Sequence, residues 1–221
     1  MKITKELIDK IEKEAKGYFN GASGCHDWSH IERVRKMALH IGREEKADLK
    51  LLEVAVLLHD IGRKEEMKSK GLFCHAEKGA ELAEEILERY KFEKDIINEI
   101  KHCILAHRNR TQQSPESLEA KILFDADKLD SSGAIGVARD FLFAGSAGSN
   151  CLYTGNEKKL AKSGVNYSFT SEDSAILEYE LNLKHIKDRV LTKAGKRIAK
   201  ERHEFMKIFF ERFWKEVEGK I

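Results

Sequence analysis

Leu49-Lys50-Leu51-Leu52-Glu53-Val54-Ala55-Val56-Leu57-Leu58-His59-Asp60 is an apolar segment of helical length that stops on an adjacent histidine and aspartate. Leu52, Ala55, Val56 and His59 recur at spacings of three and four, so one face of the helix is buried and His59 lies on it. Asp48, just in front, is suited to cap the helix. A polar group without a partner in a dry interior is costly, so His59 and Asp60 must be hydrogen-bonded, ion-paired or metal-bound.

The same spacing test extends outward. His30 heads the series Val34, Met37, Ile41, and Asp127 follows Ala120 and Leu123 within Phe124-Asp125-Ala126-Asp127-Lys128-Leu129-Asp130. His75 precedes Gly79, Leu82 and Ile86, while His107 terminates Ile97, Ile100, Ile104. Each of these side chains is expected to face the core. His102 sits beside Asn98 and Glu99 and fails the test, so the rule separates two histidines of one helix. Metal ligation satisfies His30, His59, Asp60 and Asp127 together, and imidazole with carboxylate suits iron, manganese, nickel, cobalt or zinc.

Apolar residues fall at helical spacing almost throughout, strand signals are essentially absent, and Pro115 is the one proline, so the chain reads as all-α. Helices are expected near residues 4–18, 28–46, 49–60, 75–90, 93–108, 116–129, 132–144, 170–191 and 195–217. Ser114-Pro115 supplies a cap followed by proline, Thr170 with Asp173 resembles a capping box, and Asp27 is placed to cap the helix of His30. The 221 residues read as a single domain, 1–221. The segment from Gly145 to Phe169, rich in Gly, Ser and Asn, is long for an irregular connection and is expected to act as a lid. In it Asn150, Tyr153 and Asn156 offer hydrogen bonds and Lys158 and Lys159 positive charge. Phe205, Phe209, Phe210, Phe213 and Trp214 give the last helix a broad apolar face, read as core packing ahead of a homodimer interface.

A net charge of +2 with 35% charged residues supplies no strong field for nucleic acid or an anionic membrane. The longest apolar run is far short of a membrane span. Cys25, Cys74, Cys103 and Cys151 have no Cys-x-x-Cys spacing and read as ordinary buried or half-buried thiols, and the charged amphipathic start is unlike a signal peptide. A cytoplasmic location is the expectation.

The ordered set His30, His59-Asp60, Asp127 resembles the HD superfamily of metal-dependent phosphohydrolases. His26-Asp27-Trp28-Ser29-His30-Ile31-Glu32-Arg33-Val34 and the run from Asp125 to Arg139 are similar to a YedJ-like branch of it, a likeness that covers roughly residues 22–146. The resemblance implies an HD-domain helical bundle with additional C-terminal helices. It implies two divalent transition-metal ions, with His30, His59, Asp60 and Asp127 on one, His75 and His107 on the other, and Asp60 bridging. The activity implied is hydrolysis of a phosphate ester of a small metabolite or nucleotide by a metal-activated water. Arg63 and Arg139 are the expected substrate-binding cations, and Lys64 and Lys128 with Asp130 join Asp60 as expected catalytic residues. A di-iron oxygenase is the alternative the superfamily offers, and a ligand-sensing module a second one.

Overall fold

Short polar side chains start the first three helices. Thr4 caps α1 (Lys5–Tyr18) by accepting from the Leu7 amide at 3.3 Å, Asp27 caps α2 (Trp28–Glu45) by accepting from the His30 amide, and Asp48 caps α3 (Leu49–Leu58) by accepting from Lys50 and Leu51. The structure is a computed structural model and describes residues 2–20, 27–69, 72–108, 113–146, 148–149, 151–165, 167, 170, 172 and 174–221. Among the described residues there is no strand, and no helix is long and apolar enough to cross a membrane. Cys25, His26, Asn150, Phe169 and Asp173 lie outside the described residues.

The chain divides into two compact units, Met1–Asp127 with Leu191–Ala194, and Lys128–Val190 with Gly195–Ile221. In the first, α3 is the central element. Leu52 and every residue from Val54 to Leu58 are fully buried, because α1, α2 and α6 (Lys94–Ala106) pack around it. The intervening helices are α4 (Arg63–Lys68), which packs on α5 (His75–Arg89), and α5 in turn lies against α6. Helix α7 (Leu118–Asp130) starts two residues later than the Ser114-Pro115 signal suggests. Ser117 is the residue that caps it, its hydroxyl accepting from the Ala120 amide at 3.1 Å.

Asp125 ties α7 to the returning chain: its carboxylate accepts from the main-chain amides of Leu191 and Thr192, both at 2.7 Å, and from the Thr192 hydroxyl at 2.6 Å. The group is fully buried and holds two main-chain amides together with a hydroxyl, so it is a structural pin.

The second unit holds α8 (Gly133–Ser146), α9 (Glu157–Leu160), α10 (Ala175–Leu181), a 3-10 turn at Leu183–His185, α11 (Ile186–Arg189) and most of α12 (Lys193–Val217). The single helix expected from 170 to 191 is therefore three short pieces. Ser174, not Thr170, caps the first by accepting from Leu177, and Asn182 leaves helical geometry at φ −128°. Aromatic packing organises this unit: Tyr179 stacks on Phe210 at 4.0 Å, and Phe141 meets Phe209 edge-on at 6.4 Å. The segment after α8 is less irregular than its composition suggests. It contains α9, and its Glu157 is buried, accepting from the Thr154 amide and the Ser174 hydroxyl. The ring of Tyr153, itself exposed, packs edge-on against Phe213 and Trp214. Cys103 is buried and Cys74 half-buried as expected, whereas Cys151 is exposed.

Asp125→Ala strands two main-chain donors and a hydroxyl, and is expected to lower unfolding free energy by about 3 kcal/mol. Urea denaturation reads this directly, and a loss below about 0.5 kcal/mol would show that Asp125 does not hold the chain at residues 191–192.

Candidate metal centre

Four imidazoles sit at helix ends. His30 lies in the first turn of α2, His59 follows α3, His75 is the first residue of α5, and His107 follows α6. The spacing rule holds for all four, each being almost entirely buried, whereas His102 is half-exposed and accepts from the Glu116 amide at 3.1 Å. Asp60 is 1% exposed; Asp127 is the most open of the set, its side chain 16% exposed.

The two aspartates bring the rings together. His30 Nε2 is 3.4 Å from Asp127 Oδ1 and 3.8 Å from Asp60 Oδ2, and His59 Nε2 is 3.9 Å from Asp127 Oδ1. On the other side, Asp60 Oδ1 lies 3.4 Å from His75 Nε2 and 3.6 Å from His107 Nε2. His30, His59 and Asp127 thus place one donor atom each within 4.8 Å of one another, and so do His59, Asp60 and His107.

Hydrogen bonding fixes which nitrogen faces inward. His59 Nδ1 donates to the Val56 carbonyl at 2.8 Å and His107 Nδ1 to the Ile104 carbonyl, because a carbonyl can only accept. His75 Nδ1 lies 2.8 Å from Glu66 Oε2. In each ring the proton therefore sits on Nδ1 and the Nε2 lone pair points into the cluster. His75 Nε2 and His107 Nε2 approach to 3.2 Å, so the two ring nitrogens converge on one point. His59 Nε2 is buried and makes no hydrogen bond among the described residues. Nitrogen and oxygen donors without thiolate, lone pairs converging and one left over, fit a first-row divalent ion.

Electrostatics keeps the donors in their metal-binding forms. Burial pushes His59 down to about 4, against the pull of the Asp60 charge. Burial, with Arg63 and His107 adding to it, takes His75 to about 3 despite Asp60 and Glu66. Both rings are neutral at pH 7. Burial alone would raise Asp60, but the Arg63 guanidinium opposes it and the carboxyl is held well below its usual range.

Arg63, expected to receive substrate, donates from Nε to Asp60 Oδ2 at 3.2 Å and from NH1 to Glu66 Oε2 at 3.0 Å. Lys64 is exposed on α4. Lys128, Asp130 and Arg139 belong to the second unit, where Arg139 donates to Asp130 at 2.6 Å and to the Ser131 hydroxyl at 3.4 Å. Glu66 escaped the sequence reading. It accepts from Arg63 and from Arg108 (2.6 Å), and burial is outweighed there by His75 and the two guanidinium groups, which lower its carboxyl. The only sequence trace of it is an acidic residue in a charged hexamer shortly after His59-Asp60.

The lowered imidazoles fix a pH dependence for metal-free protein. The unfolded chain takes up protons on His59 and His75 near their ordinary 6.5, the folded chain only near 4 and 3, so stability is lost as pH falls from about 6.5 toward 4. Urea midpoints of chelator-treated protein are expected to drop between pH 7.5 and pH 5; equal midpoints contradict the assignment of neutral, desolvated rings.

Residues 27–132 match the family model of the HD domain. Over 221 aligned residues the chain is 29% identical to the Bacillus subtilis protein YpgQ, with 97% of each covered. The crystal structure of Bacillus subtilis YpgQ in complex with ADP superposes with a TM-score of 0.73 at 30% identity, covering 96% of this chain and 95% of that one. A predicted HD-superfamily hydrolase from an uncultured Thermotogales bacterium gives 0.64 at 29% identity, covering 96% and 92%. The family model falls on the segment that contains every clustered histidine and aspartate, and the likeness to YpgQ runs nearly end to end. This protein therefore belongs to the HD-domain family.

Proposed function

We propose that this protein is a metal-dependent phosphohydrolase that holds two divalent transition-metal ions and cleaves a phosphate ester of a small metabolite or nucleotide. The observation that carries the reading is the division of Asp60: Oδ2 faces His30, and Oδ1 faces His75 and His107. A carboxylate so divided is suited to bridge two ions. His30, His59, Asp60 and Asp127 would hold one and His75, His107 and Asp60 the other. Bound in this way, the pair supplies the acidity that makes water a nucleophile at neutral pH and offsets charge on a phosphoryl oxygen.

The chain's own groups do the rest. Buried neutral imidazoles exclude bulk water from the donor set, and Arg63 keeps Asp60 ionised without a proton to surrender. Asp127, the least buried donor, marks the side from which substrate reaches the set. Arg63 uses Nε and NH1 on carboxylates and has further N–H groups directed by the same planar fork, the geometry that receives a phosphate. That YpgQ has been crystallised with ADP supports a phosphorylated nucleotide as the substrate class.

Elemental analysis of purified protein is expected to give two first-row ions per chain, none in Asp60→Ala and one in His107→Ala. Phosphate release from at least one member of a phosphomonoester and nucleotide panel should disappear with chelator and fall more than about 100-fold in Asp127→Ala. No metal-dependent release across the panel, together with oxygen consumption by iron-loaded protein and an organic substrate, would overturn the hydrolase in favour of an oxygenase.

A further inference from the structure

His59 and His107 take their tautomer from their own helices, each donating Nδ1–H to a carbonyl three residues back, Val56 and Ile104. His75 opens α5, so no preceding turn of its helix offers such a carbonyl. Its Nδ1 is met instead by Glu66 of α4, 2.8 Å away and nine residues earlier in the chain. Glu66 is itself held from two sides. Arg63 NH1 reaches Oε2 at 3.0 Å, and Arg108 NH1, from the chain just beyond α6, reaches Oε1 at 2.6 Å.

We propose that Glu66 is a positioning residue that fixes His75 for the second ion, its carboxylate held in place by Arg63 and Arg108. The inference rests on the two-ion reading above. A carboxylate on Nδ1–H commits the ring to one tautomer, turns Nε2 toward Asp60 Oδ1 and His107 Nε2, and raises the basicity of the donating nitrogen. Arg108 lies one residue beyond His107, so the clamp on Glu66 and the second imidazole of the pair are set by the same stretch of chain.

Two measurements test this. In chelator-treated protein at pH 7, long-range nitrogen–proton NMR of the imidazoles should show His75 as the Nδ1–H tautomer in wild type and in Glu66→Gln, whose amide oxygen still accepts. Glu66→Ala should convert His75 to the other tautomer or to a mixture, with His59 and His107 unchanged. In metal titrations Glu66→Ala should keep one ion at wild-type affinity and bind the second about 10–100-fold more weakly, Glu66→Gln falling between. Arg108→Ala, which leaves Glu66 with one clamp, should weaken the second ion severalfold and serves if Glu66→Ala does not fold. A wild type that binds two ions, with variants whose affinities and His75 tautomer are unchanged, overturns this proposal alone. A wild type that binds a single ion overturns the two-ion reading and this role for Glu66 with it.

Discussion

An ionised carboxylate, Asp60, sits in the interior of the first unit, and the surrounding helices are arranged to tolerate it. Removing a carboxylate from water costs several kcal/mol unless charge and hydrogen bonds replace the solvent. Arg63 supplies the charge from 3.2 Å, and the imidazoles of His30, His75 and His107 line the two oxygens. To carry Asp60 that deep, α3 has to be apolar nearly all round, which is why Val54 to Leu58 are fully buried. The chain then turns sharply. A Cβ at Gly62 would stand 2.3 Å from the His75 carbonyl oxygen and 2.6 Å from the Gly79 nitrogen, so only glycine lets the turn after Asp60 lie against the start of α5. The 3.4 Å between Asp60 and His75 depends on that missing atom.

Placing the rings at helix ends solves two problems at once. The last carbonyls of a helix have no intrahelical donor, and the side chain of a histidine just past the end can supply one. His59 and His107 both do so, satisfying a buried carbonyl with Nδ1–H and leaving Nε2 for the cluster. The same bond orients the ring, so positioning needs no additional residue. His75 stands at the opposite end of its helix, where amides and not carbonyls are left over, and an acceptor has to come from elsewhere.

That asymmetry explains what the sequence disclosed. His30, His59, His75, His107 and Asp127 could be picked out because each lies on the apolar stripe of a helix long enough to show its period, and Asp60 because it directly follows His59. Glu66 could not. Helix α4 is Arg-Lys-Glu-Glu-Met-Lys, charged on every side, and its partner Arg108 is 42 residues away, so no local pattern marks the contact. The misplaced helix starts have a related cause. Ser114-Pro115 and Thr170 are sound caps taken singly, but Ser117 and Ser174 are equally good and lie next to the first residues that tertiary packing buries. Propensity cannot rank two serines three residues apart; burial can. The break at Asn182 went unseen for the same reason, since apolar residues continue on both sides of it at near-helical spacing.

A guanidinium beside a proposed cation site looks self-defeating until the neighbouring charges are taken together. Asp60, Asp127 and Glu66 bring three carboxylates to the cluster against the two guanidinium groups of Arg63 and Arg108. That balance favours an incoming divalent ion over a phosphate. On the two-ion reading, loading reverses the sign, and Arg63 changes from a counter-ion of Asp60 into one cation among several. A phosphate then meets a positive site with a planar donor fork at its edge. On that reading the coupling is reciprocal: if bound ions raise the affinity for phosphate, bound phosphate raises the affinity for the ions by the same factor. Glu66, which restrains Arg63 and orients His75 together, acts on both sides of that balance.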